Sequence, residues 1–107
     1  MTRELRSAGK FDRTLASLFE ALEGREKELQ SRLDELVKGL LDGSIAKAPQ
    51  HHPTDDTCCI PLIDDYVVVF RPDHSDHIER DKAGRSIVDF SNATMFDLLN
   101  IEDEEPD

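Results

Sequence analysis

The spacing of hydrophobic residues changes between the two halves of this 107-residue chain, and that change constrains the fold more than any other feature. From Phe11 to Leu41, apolar residues recur at steps of three and four, which places them on one stripe of a helix. From Cys58 onward they form short runs rich in β-branched residues, which favour strands. The pattern therefore predicts helices followed by a sheet, in one domain.

The helical stripe is interrupted by a polar stretch from Glu23 to Glu28 that contains Gly24. We therefore favour two antiparallel helices within residues 11–42, whose combined stripe covers one face of a sheet. A continuous coiled coil is the alternative, because four leucines step by four, three and four: Leu29, Leu33, Leu36 and Leu40.

Two apolar runs flank Asp64 and Asp65 and predict a hairpin. Pro61 in the first run indicates an edge strand or a bulge, because proline has no backbone N–H to donate. A second pair of strands is predicted on either side of a turn at residues 81–84.

The resulting fold class is α+β: an N-terminal helical hairpin packed on a small antiparallel sheet of three to four strands, followed by a short C-terminal helix. The domain is expected to span residues 11–100, between a flexible N-terminus and an acidic disordered tail. Its expected parts are helices at 11–42, a linker at 44–57, the sheet at 58–90, the short helix at 92–99, and the two ends at 1–10 and 101–107. The predicted core consists of Leu15, Leu18, Leu22, Leu33, Leu36, Leu40, Ile60, Leu62, Val68, Phe70, Val88, Phe90 and Phe96.

The net charge lies in the second half of the chain. Residues 1–50 carry nine Lys/Arg and nine Asp/Glu, whereas residues 51–107 carry four Lys/Arg and fifteen Asp/Glu, which accounts for the formal charge of −11. A surface this acidic repels phosphate and attracts cationic proteins. We therefore predict a partner-binding surface made of acids from this half: Asp64, Asp65, Asp73, Asp76, Glu79 and Asp81.

Residues 60–71, with the sequence IPLIDDYVVVFR, are followed by a charged loop and then by the apolar segment IVDF at residues 87–90. Together with the helical region before them, these segments resemble RelE/HigB-type toxins, small proteins with a helical hairpin followed by three antiparallel strands. The resemblance implies a ribosome-dependent mRNA endoribonuclease. On that basis the candidate catalytic residues are His51, His52, Asp65 and Arg71.

The chain departs from that family in several places. Pro61 and Val67 stand where basic residues often occur on the two hairpin strands, and residues 1–10 are expected to lack the family's opening strand. A sheet that binds RNA neutralises phosphates with Lys and Arg, whereas this sheet lies in the acidic half. The resemblance therefore bears on the fold more than on the activity, and the sequence leaves open whether the chain is an enzyme.

Two histidines, His74 and His77, alternate with carboxylates in the loop after the hairpin and are weak candidates for metal ligands. A metal site needs three or four converging ligands, which this segment does not supply by itself. We therefore expect a solvated turn, with no metal and no other cofactor.

The sequence leaves three functions open. The first is a small cytoplasmic binding protein or inhibitor that docks its acidic half on a basic protein surface. It would resemble an immunity protein, an antitoxin or a nucleic-acid mimic, and its target would be a nucleic-acid-binding protein or the ribosome. The second is the RelE/HigB-like toxin. The third is a helical oligomerisation module, a homodimer for example, joined along the four leucines named above. No direct binding to nucleic acid or membrane is expected, because the acidic half repels phosphate and no apolar run is long enough to span a bilayer. The two adjacent cysteines, Cys58 and Cys59, make a poor disulfide and favour the reducing cytoplasm.

Overall fold

The structure is a computed structural model that describes residues 3–51 and 57–103. No helix within those residues is long and apolar enough to cross a membrane. The described elements are, in chain order, β1 (Glu4–Ser7), α1 (Gly9–Ala21), α2 (Glu26–Asp42), β2 (Lys47–Pro49), β3 (Cys58–Ile63), β4 (Tyr66–Pro72), β5 (His77–Arg80), β6 (Ser86–Asp89) and β7 (Met95–Asp103). The predicted α+β class is confirmed.

The prediction of two helices is also confirmed. They are separated at Gly24, whose φ of +92° is a left-handed conformation that glycine adopts without strain. The second helix ends at Gly43, another left-handed residue with φ +86°. The four leucines of the coiled-coil alternative are at most 9% exposed and lie in the chain's own core. They are therefore not available to join two molecules.

The main sheet has the strand order β1-β7-β4-β3. β1 runs parallel to β7, and the other neighbouring pairs are antiparallel. Helix α1 packs on β7 and α2 packs on β3, so the helical hairpin covers one face of the sheet. The predicted role of Pro61 is confirmed, because β3 is an edge strand and its register shifts between Pro61 and Ile63.

The predicted C-terminal helix is wrong: this region forms the nine-residue strand β7, which lies between β1 and β4. Its register explains the error. Val69 pairs with Asn100 and Phe70 pairs with Leu98, so Leu99 is an extra residue in a bulge. The bulge breaks the alternation of apolar residues that marks a strand. The spacing that results is that of a helix, at Met95, Phe96, Leu98 and Leu99, and this spacing produced the wrong prediction.

The ends of the chain also differ from expectation. Residues Glu4–Ser7 form a strand rather than a flexible segment, because their backbone pairs with β7. Residues 101–103 belong to β7, and the remainder of the expected tail lies outside the described residues.

A second sheet, with the antiparallel order β2-β6-β5, was not expected as a separate layer. β2 falls within the predicted linker, whereas β5 and β6 flank the predicted turn. Phe90 follows β6 and contacts Phe70 and Phe96 of the main sheet edge-to-face, with ring centroids 5.5 Å away in both cases. All three rings are 0% exposed. This aromatic cluster joins the two sheets. Every residue of the predicted core is buried in the hydrophobic core of the structure or packs against it.

Candidate protein-binding surface

Four of the six acids predicted to bind a partner lie at two opposite ends of the main sheet, and the other two lie on the second sheet. Asp64 and Asp65 form the turn before β4, whereas Asp73 and Asp76 follow the end of that strand. β4 is seven residues long, so at about 3.3 Å per residue the two groups lie roughly 20 Å apart. The structure therefore divides the predicted surface in two.

At the first end, Asp64 is neutralised within the chain. The Arg25 guanidinium donates two hydrogen bonds to its carboxylate, at 2.8 and 3.1 Å, and also donates to Glu28. These bonds lower the pKa of both acids, so both stay ionised and paired at neutral pH. Asp65 is exposed beside this cluster. One guanidinium is shared by two carboxylates, so this end keeps part of its negative charge, and Asp65 adds to it.

At the second end, three aspartates, Asp73, Asp76 and Asp89, surround the connection between β6 and β7. We call them the aspartate corner. Each carboxylate accepts one backbone N–H of that connection. Asp73 accepts the N–H of Thr94 at 2.8 Å, and Asp76 accepts that of Asn92 at 3.1 Å. Asp89 accepts the N–H of Ser91 at 3.0 Å. The side chains of the same three residues donate as well, at 2.8, 2.8 and 2.6 Å.

These hydrogen bonds fix both the position and the charge of the aspartate corner. The pKa of each carboxyl is lowered, in each case chiefly by the side-chain hydrogen bond from the connection. Asp73 is exposed, the Asp76 side chain is 22% exposed, and Asp89 is 8% exposed. The basic side chains within salt-bridge distance, among described residues, are histidines: His74 lies 3.3 Å from Asp76, and His77 lies 3.6 Å from Asp89. The charge of Lys47 also lowers the pKa of Asp89. Asp73 and Asp76 are therefore preformed carboxylates with no Lys or Arg within salt-bridge distance among the described residues.

The remaining two predicted acids are engaged on the second sheet. Lys47 donates to Glu79 at 2.8 Å, and His77 lies 3.4 Å from the same carboxylate. The pKa of Glu79 is lowered, first by the Lys47 hydrogen bond. Asp81 accepts the N–H groups of Ala83 and Arg85 and so closes the β5–β6 turn.

No metal site forms around His74 and His77. In the part of the chain that the structure describes, no three His, Cys, Asp or Glu side chains converge closely enough to hold a metal ion. The two histidines instead contact the neighbouring carboxylates given above.

The structure describes three of the four candidate catalytic residues. The His51 ring lies 2.9 Å from the carboxylate of Glu102 on β7, and the His51 N–H donates to the carbonyl of Thr57. Asp65 precedes β4, whereas Arg71 is near the other end of that strand, where its register partner is Asp97. Asp65 and Arg71 are therefore at opposite ends of one strand. His52 lies outside the described residues.

Sequence reasoning missed Asp89 and the three residues that the corner holds. The signal was present: Asp89 stands two residues before Ser91 at the end of a predicted strand, and aspartate commonly bonds the backbone two residues on. The bonds from Asp73 and Asp76 span 21 and 16 residues, so no local pattern indicates them.

Comparison of the chain with family models, with curated protein sequences and with solved structures gives no match in any of the three.

Proposed function

We propose that this protein is a small binding module that docks the aspartate corner on a cationic surface of another protein. The observation that carries the proposal is the fixed orientation of Asp73 and Asp76, an exposed and a partly exposed carboxylate whose pKa values are lowered by hydrogen bonds from the connection before β7. Groups held in place before binding lose little conformational entropy in the complex. An inhibitor, an immunity protein or a nucleic-acid mimic would use such carboxylates to occupy the cationic site of its target.

The distribution of charge supports the same proposal. Three salt bridges pair acids of the second half with cations of the first half, namely Arg6–Asp97, Arg25–Asp64 and Lys47–Glu79. Asp73 and Asp76, by contrast, have no Lys or Arg within salt-bridge distance among the described residues. A local negative field of this kind accelerates and orients encounter with a basic protein.

The proposal also includes a cytoplasmic location. Cys58 and Cys59 are both buried thiols, as is usual in a reducing compartment.

The test compares wild-type protein with the double variant Asp73→Asn/Asp76→Asn as immobilised bait in a lysate of its own organism, at about 0.05 M and about 0.5 M salt. Asparagine keeps an acceptor oxygen but loses the charge. We expect one captured basic protein at low salt, less of it at high salt, and about tenfold or greater loss of its affinity for the variant.

The matched control is Asp34→Asn/Glu35→Gln, which removes the same charge from the exposed side of α2. It should bind the captured protein as the wild type does, and thermal unfolding of all three proteins shows whether each is folded. Equal binding by wild type and the corner variant, or binding that does not respond to salt, would contradict the proposal.

A second candidate function is the RelE/HigB-like toxin. It is supported by the element order strand, helix, helix and then antiparallel strands, now with an opening strand in Glu4–Ser7. It is not supported by the outer face of the hairpin strands, where Val67 and Val69 are apolar and buried.

Expression in a growing host separates the two candidates. A toxin should arrest growth, and Arg71→Ala or His52→Ala should abolish the arrest. Normal growth at high expression of folded wild-type protein would exclude the toxin.

A further inference from the structure

β5 is an edge strand of the second sheet. Among the described strands it has one neighbour, β6. Ile78, in the middle of β5, is 52% exposed and is the most exposed large hydrophobic side chain in the described residues. An edge strand offers unpaired backbone groups to another strand. This edge therefore combines an apolar side chain with an open hydrogen-bonding ladder.

The pairing of β6 with β2 shows which backbone groups of β6 remain for β5. The N–H of Gln50 donates to the carbonyl of Ser86 at 2.9 Å, and the N–H of Phe90 donates to the carbonyl of Ala46 at 2.9 Å. Backbone groups of an antiparallel strand point alternately to one side and the other. Even-numbered residues of β6 therefore bond toward β2, and odd-numbered residues bond toward β5.

This alternation fixes the outward groups of β5. His77 and Glu79 are the register partners of odd-numbered residues of β6, so their N–H and C=O groups bond inward. The N–H and C=O groups of Ile78 and Arg80 consequently point to the open edge. A strand that pairs with this edge can bond to those two residues.

We propose that two copies of this chain pair through β5, antiparallel and about a two-fold axis at Ile78, so that two three-stranded sheets become one six-stranded sheet. The same surface then serves both subunits, as in most homodimers. This proposal does not depend on the function proposed for the aspartate corner.

The side chains complement one another in this register. Ile78 lies opposite its own copy, which buries the exposed side chain against another apolar one. His77 lies opposite Glu79 of the partner subunit. Pairs of opposite charge across neighbouring strands are stabilising, and this pair occurs twice because of the symmetry. The paired stretch ends at His77, because β5 begins there and the N–H of Asp76 bonds inward to the carbonyl of Asp89 at 2.8 Å.

The next register that also joins outward-pointing groups is unfavourable. It is shifted so that Ile78 faces Arg80 of the partner subunit, and it places the two copies of Glu79 directly opposite each other. Like charges in that position are destabilising. Charge therefore selects the register centred on Ile78.

The contact is small, and each copy carries a formal charge of −11. Small interfaces are typically weak, and net charge opposes association at low salt. We therefore expect a weak dimer that forms at high protein concentration and is favoured by added salt.

Sedimentation velocity over a wide range of protein concentration tests this dimer. Wild-type protein should shift from monomer to dimer, and Ile78→Glu should remain a monomer with unchanged thermal stability, since its side chain is exposed. The matched control Lys82→Gln changes the net charge by the same amount as Ile78→Glu, in the adjacent turn, and should dimerise nearly as the wild type does.

Hydrogen exchange provides a second, residue-specific result. Exchange of the Ile78 amide should slow as protein concentration rises, whereas that of His77 and Glu79 should change little. A wild-type monomer at every concentration, or a dimer that Ile78→Glu leaves intact, would overturn the proposal.

Discussion

The main sheet and the second sheet are stabilised by different interactions. β4, in the main sheet, is buried on both faces: Val68 and Phe70 face the core, and Val67 and Val69 point the other way. The second sheet also contributes Ala48, Val88 and Phe90 to the core. Its Lys47–Glu79 pair and the connection after it, however, depend on charged and polar side chains, notably those of the aspartate corner. Apolar packing does not depend on ionisation, whereas the carboxylate contacts do. The difference predicts that acid opens the second region before the first.

The substitution with the largest expected effect is Phe90→Ala, which removes the ring that joins the two sheets. Loss of a fully buried phenylalanine typically costs about 3–5 kcal/mol of unfolding free energy. We expect thermal melts to show this loss, and hydrogen exchange to show that β5 and β6 lose protection before β4 and β7 do. The control Ile78→Ala, at an exposed position, should change stability by less than about 0.5 kcal/mol. Uniform loss of protection in both sheets would show that Phe90 does not join separable regions.

A smaller effect is expected for Asp89→Ala, which leaves the Ser91 N–H and hydroxyl without their acceptor. Hydrogen bonds to charged groups suggest a cost of about 1–3 kcal/mol at pH 7. Because the pKa of Asp89 is lowered in the folded state, its contribution is present above the ordinary pKa of about 3.9 and is lost as pH falls below it.

Stability measured between pH 7 and pH 3 checks that sign. The wild type should lose stability as pH falls, with the amides of Ser91, Asn92 and Thr94 losing protection first. Asp89→Ala should show a shallower dependence on pH. A variant that follows the wild-type pH profile would mean that this carboxylate does not stabilise the connection.

The smallest effect is expected for Lys47→Met, which removes the exposed ion pair with Glu79. Exposed pairs contribute little because solvent and salt screen them. The melting temperature should fall less than for Asp89→Ala, and the difference from wild type should disappear at high salt. Lys27→Met, at another exposed lysine, is the control for loss of charge alone. A salt-independent loss for Lys47→Met would assign it a packing role.

The helical hairpin and the β3–β4 and β5–β6 hairpins could be predicted from sequence because each has a local signal. Gly24 interrupts a helical stripe, Asp64 and Asp65 separate two apolar runs, and Gly84 lies in a turn with φ +81°. The first strand has no such signal. Glu4–Ser7 contains one apolar residue, and the strand exists because β7 lies beside it. Arg3 also ties this end down by donating to the carbonyls of Leu40 and Ser91.

The candidate surface was predictable only in part. The excess of acids in the second half is visible in the sequence, but the partners of those acids are not. Arg25 and Lys47 come from the first half and reach Asp64 and Glu79 only after the chain folds. The segregation of charge along the chain is thus partly cancelled in space, whereas Asp73 and Asp76 keep no described Lys or Arg within salt-bridge distance.

The measurement that tests this account most directly is a ¹³C NMR titration of the side-chain carboxyls of Asp73, Asp76 and Asp89 in the folded protein. The account predicts three titration midpoints below the ordinary aspartate value of about 3.9. It also predicts that each midpoint rises when the side-chain donor is removed: Thr94→Val for Asp73, Asn92→Ala for Asp76 and Ser91→Ala for Asp89. Midpoints at or above the ordinary value in the wild type would contradict it, because the corner would then hold no preferentially ionised carboxylates for a cationic partner.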